Sequence, residues 1–141
     1  MAFADAERFI ARCTEQADAF ARAALRSLKT QASGFRLTGI CVIAASGRAL
    51  PDLRGILASH ALIHAAEGEF YRDVLLRAAE KSGLPANRLK EKDAAAWLAA
   101  RLGLDESELG ARLAVMGKAL GPPWGADQKL ATMAAWLALL S

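Results

Sequence analysis

The chain has 141 residues, 54% of them hydrophobic, and a formal net charge of +3. That length suits one domain over residues 1–141 and supplies enough apolar surface for a core without disulfides or a structural metal. The mild positive balance names no partner, and the longest uncharged apolar run, Leu130–Leu140, is too short to cross a bilayer. The first residues carry Asp5, Glu7 and Arg8 without the apolar stretch of a signal peptide. Cys13 and Cys41 form no CxxC pair and no metal-ligand pattern, which predicts reduced thiols and a cytoplasmic setting.

Much of the apolar content is alanine, so helix should dominate. Residues 5–31 read as one amphipathic helix. Phe9, Ile10, Cys13, Ala17, Phe20, Ala24 and Leu28 recur at three- and four-residue steps and predict its buried face. The opposite face carries charged side chains, with Asp18 and Arg22 as an i,i+4 pair. Ser33-Gly34 ends the helix. Residues 36–45 read as a strand, because the uncharged run Ile40–Ala45 fits a strand buried on both faces of a parallel sheet. Ser46-Gly47-Arg48 is a turn, and Pro51 suits the first position of a short helix through Ser59.

Residues 60–83 admit two readings. One places a short strand at Ala61–Ala66, a break at Gly68 and a helix over 69–82, ended by Gly83 with Pro85 beyond. The other makes 52–82 a single helix, against which Gly55, Ser59 and Gly68 weigh. Residues 86–91 suit a third, edge-like strand with Leu89 inward. Asp93 is placed to cap a helix through Leu102, which Gly103 ends, and Asp105 with Glu108 forms a capping box for the next one. A last helix runs from about Ala126 to Leu140. With the strand reading of 61–66, the chain predicts an α/β fold. Its sheet is small, three-stranded and parallel or mixed, it is covered by helices, and the C-terminal third is helical.

Both histidines fall in one stretch, Ser59 to Glu69. In the strand reading Glu67 ends a central strand, where open α/β sheets place ligands. In the helical reading His60 and His64 stand one turn apart, with Glu67 nearly one turn further. That spacing sets two imidazoles and a carboxylate around one divalent ion, Mg, Mn or Zn. The plainer account makes His64 a hydrogen-bonded core histidine and Glu67 a solvated residue near a helix start.

A second stretch, Gly121-Pro122-Pro123-Trp124-Gly125-Ala126-Asp127-Gln128-Lys129, is a rigid turn leading into the last helix. As a functional segment it would supply Asp127 as a second carboxylate facing Glu67, Lys129 as a phosphate-neutralising cation and Trp124 as a stacking platform. As a structural one, Asp127 simply caps the helix. Six basic residues against one acid in 19–66, Arg48 among them, describe either a phosphate-attracting surface or an ordinary solvated face. Trp97 and Trp136 sit at core spacing. The run Arg88 to Asp93 is mixed in sign and suits a solvated edge.

The stretches SHALIHAAEGE at 59–69 and GPPWGADQK at 121–129 resemble signatures of a bacterial family of small proteins of unknown function, over most of residues 50–140. The order of elements is also similar to the RNase H-like superfamily, within it the Holliday-junction resolvases, which cleave nucleic acids with two divalent ions held by clustered carboxylates. That resemblance implies Glu67 as the acid of the middle strand and Asp127 as the acid of the last helix. Residues 36–45 hold no acid where that superfamily has an Asp, so the resemblance implies a truncated or catalytically degenerate member.

Two functions from different classes follow. The first is a metal-dependent site acting on a nucleic-acid or phosphate-containing ligand. Glu67 and Asp127 would be metal ligands, His60 or His64 ligand or general base, and Lys129 and Arg48 phosphate contacts. The second is a non-catalytic interaction module, a homo-oligomer built through the alanine-rich helices 94–102 and 126–140. A small-molecule enzyme using His64 and Glu67 as acid and base is a further variant.

Overall fold

The computed structural model describes residues 3–44 and 49–140, and these form two compact units. The first takes in the chain up to Gly39 together with Leu50–Ala86; the second takes in Ile40–Ala49 and the chain from Asn87 onward.

The first unit is helical. Helix α1 (Phe3–Gln31) packs on α3 (His60–Lys81), with the short α2 (Leu53–Leu57) beside α3. The buried face of α1 is Ala6, Asp18, Ala21 and Leu25, rotated from the expected apolar stripe. Phe9 and Phe20 of that stripe are 54% and 75% exposed. The partner helix explains the rotation. α3 presents fully buried Ala78 and Ala79, whose small side chains permit close approach, beside the cations Arg77 and Lys81. Arg77 Nη2 and Nε donate to Asp18 Oδ1 at 2.9 and 3.1 Å, and Lys81 Nζ reaches Oδ2 at 3.5 Å. Asp18 therefore is not a member of a solvated pair with Arg22. It is a buried carboxylate joining two helices.

The strand expected at Ala61–Ala66 is the start of α3, so Glu67 is helical and ends no strand. A short apolar run cannot separate helix from buried strand by periodicity. Here the alanines favour helix, and Gly68 does not interrupt it. The Arg72 guanidinium, paired with Glu69 at 3.0 Å, covers the backbone at that glycine. A single helix from residue 52 is not seen either. Asp52 caps α2 by accepting from Gly55 N at 2.9 Å, and Ser59 is extended (φ −140°) before α3 begins. Pro51 thus precedes the cap instead of opening the helix. α3 stops as expected at Gly83, whose φ is +68°, with Leu84 N donating to Ala79 O at 3.0 Å.

The second unit holds a two-stranded parallel sheet of β1 (Ile40–Ala44) and β2 (Ala86–Lys90). The expected three-stranded sheet is corrected accordingly, since the residues assigned to its middle strand are helical. Leu89 of β2 does point inward, buried with Ala94 and Ala134 against Cys41, Ile43 and Leu130. A 3-10 turn at Glu91–Asp93 leads into α4 (Ala94–Leu102), followed by α5 (Glu106–Leu120) and α6 (Ala126–Leu139). Leu98, Ala99, Leu109 and Leu113 form the centre of these helices, with Met116 and Trp136 packed on it. Trp97 departs from the expected core role and is 55% exposed.

Local signals set the helix ends. Glu108 N donates to Asp105 Oδ1 at 2.8 Å and Asp105 N to Glu108 Oε2 at 2.9 Å, the expected capping box. Gly103 closes α4 with φ +65°. Asp93 occupies the cap position of α4 without a side-chain cap bond. No helix among the described residues is long and apolar enough to cross a membrane.

Candidate metal site

His60, His64 and Glu67 occupy the first two turns of α3 and project from one exposed face. The three- and four-residue steps bring them together, as neighbours on a helix surface must be. His64 Nδ1 lies 3.1 Å from Glu67 Oε2, and His64 Nε2 lies 3.1 Å from His60 Nε2. The imidazole rings meet edge to face with centroids 4.5 Å apart. The side chains of His64 and Glu67 are 63% and 61% exposed, so neither is a core residue.

The tautomers follow from the partners. A carboxylate oxygen only accepts, so a neutral His64 paired with Glu67 carries its proton on Nδ1 and presents a bare Nε2 lone pair. With both rings neutral, His60 Nε2–H donates to that lone pair. Alternatively a cation replaces the shared proton. Two imidazole nitrogens on one tetrahedral zinc, at about 2.0–2.1 Å each, stand about 3.3 Å apart. The observed 3.1 Å separation is close to that value. Glu67 then takes the position of an orienting carboxylate behind a ligating histidine.

The remaining expected site residues lie elsewhere in the chain. Asp127 and Lys129 are exposed in the first turn of α6, in the second unit. Gly125, whose N–H is accepted by Gln128 Oε1 at 2.9 Å, holds the cap position expected of Asp127. Trp124 is half-buried with its indole against Gly117 of α5, and its Nε1 is buried without a hydrogen-bond partner among the described residues. Arg48 lies outside the described residues. Among the described residues, no group of three or more His, Cys, Asp or Glu side chains is arranged to hold an ion together. The α3 face thus brings two imidazole nitrogens together in the open, with one carboxylate behind them.

Sequence reasoning missed two features. Asp18 with Arg77 was not foreseen because the partners are 59 residues apart. A cleft lined by Trp97, Arg88 and Arg101 was likewise missed, its residues coming from separate elements. An aromatic flanked by arginine four residues on, in Trp97 and Arg101, was the only local trace. Comparison with protein-family models, with curated proteins and with solved structures gives no match.

Proposed function

We propose that the start of α3 is a divalent-metal site that acts on a phosphate-containing ligand, nucleic acid included. The observation that carries the reading is the convergence of His60 Nε2 and His64 Nε2, with Glu67 fixing the His64 tautomer. Imidazole favours zinc over the oxygen-seeking Mg and Mn among the three ions considered. The open positions would take water or an anionic ligand, the arrangement that lets zinc act as Lewis acid or hydroxide source. Phosphate is the favoured class because the site adjoins a helix N-terminus. Backbone N–H groups there lack intrahelical acceptors and negative charge is stabilised.

Calorimetric titration of the chelator-treated protein with Zn²⁺ and Mn²⁺ tests this directly. Stoichiometric zinc binding is expected, lost in His60→Ala and His64→Ala. It should weaken about 10- to 100-fold in Glu67→Gln, as for other carboxylates behind ligating histidines. Binding should also weaken in acid, because both ligands must be deprotonated. Wild type without zinc binding, or single-histidine variants that bind as wild type, would sink the site.

A second reading, the interaction module, draws on a different observation. Helices α4 and α6 bury Leu98, Ala99 and Ala134 in their own unit's core. Large apolar side chains stand in water on several elements, Trp97 of α4 and Leu139 of α6 among them, and on α1 Phe9 and Phe20 lie on one exposed face. Self-association through that face predicts a light-scattering mass that is a multiple of 14.9 kDa and returns to the monomer in Phe20→Ser. A wild-type monomer at every concentration tested removes this reading.

A further inference from the structure

A cleft of about 740 Å³ opens in the second unit, among β2, α4 and α6. Its inner surface is apolar, from buried Leu89 and half-buried Cys41 and Leu137. Its outer part carries Trp97, Arg101 and Arg88, all exposed. The division follows from α4. Leu98 and Ala99 pack into the core, so Trp97, Ala100 and Arg101, at three- and four-residue spacing, share a face that lines the cleft. Trp97, 55% exposed, thus stands at the edge of the cleft's apolar lining.

We infer that this cleft binds a small aromatic anion, its ring laid against Trp97 and its carboxylate or phosphate held by Arg101. Three observations support this assignment. The volume falls within the roughly 300–1,000 Å³ of small-molecule sites, which pair an apolar lining with a few convergent polar groups. No acidic side chain is among the described residues lining the cleft, to which Arg101 brings a guanidinium group. Arg101 is also held in place: its Nη2 donates to Leu140 O at 3.1 Å, and its remaining N–H groups can meet an oxyanion in the fork geometry that guanidinium provides. Cys41 adds no opposing charge, because burial pushes its thiol pKa up and keeps it protonated. The assignment uses no atom of the α3 histidine site and stands or falls separately from it.

Amide NMR spectra of the full chain, titrated with adenosine monophosphate, benzoate and uncharged adenosine, provide the test. Expected are shift changes confined to residues 87–89, 97–101 and 137–138, with either anion binding about tenfold or more tightly than adenosine. A response to the nucleotide alone identifies phosphate as the anionic group, and a response to benzoate alone identifies carboxylate. Arg101→Gln should weaken binding about tenfold or more, and Trp97→Ala similarly. Both residues are exposed, so an unchanged thermal midpoint should accompany the loss. No localised shifts with either anion, shifts scattered over the basic surface, or Arg101→Gln binding as wild type would overturn the inference.

Discussion

Asp18→Ala is expected to lower the stability of the helical unit by about 2 kcal/mol, read as a fall in the urea midpoint at neutral pH. Removing one partner of a buried ion pair costs about 3–5 kcal/mol, because the charge left behind stays desolvated and unpaired. That range is reduced here because Arg77 is 35% exposed and water can reach part of its guanidinium. The pairing is still strong in form. Two guanidinium nitrogens reach Asp18 Oδ1, and the carboxylate side chain is only 11% exposed. The hydrogen bond from Arg77 holds the Asp18 carboxyl below the ordinary aspartate range. Burial opposes this, and the charges of Arg77 and Lys81 reinforce it. A carboxyl with a depressed folded-state pKa contributes its stability above the unfolded value, near 3.8, and loses it as pH falls through the lower folded value. Wild type should therefore lose stability below about pH 4. Asp18→Asn should show less of that acid loss. An Asp18→Ala midpoint equal to wild type would mean that the pair contributes nothing net.

Gly117→Leu should cost about 3 kcal/mol or more, the upper range for overpacking a filled core. Gly117 is buried in α5, and the indole of Trp124 stands where a side-chain carbon at 117 would be. The larger residue must displace Trp124 and with it the segment leading into α6. Gly110 lies in the same helix with open space beside it. Gly110→Ala should accordingly stabilise by about 0.5–1 kcal/mol, the helix-propensity gain alone. Opposite signs at two glycines of one helix, measured by thermal or denaturant unfolding, separate packing from propensity. Equal effects would refute the close approach of Trp124.

These stability sites lie apart in sequence from the candidate zinc ligands, which gives the functional variants a clean reading. His60, His64 and Glu67 are exposed side chains. Their substitution should change metal binding without changing the urea midpoint, whereas Asp18→Ala should do the reverse.

The sequence by itself determined what acts over one or two turns of chain. The Asp105–Glu108 capping box, the glycine stops at 83 and 103, the inward Leu89 and the β1 strand within residues 36–45 were all legible there. The clustering of His60, His64 and Glu67 was legible too, because helical spacing alone brings i, i+4 and i+7 together. Tertiary structure decided the rest. Whether Ala61–Ala66 is strand or helix depends on the surface against which it packs, since an apolar run of that length fits either. Which face of α1 is buried depended on the cations and alanines of α3, and a charged residue moved inward where a partner 59 positions away met it. The exposure of Trp97 and the cleft beside it arise from the meeting of β2, α4 and α6, and side-chain periodicity within one element carries no information about the neighbours that element will meet.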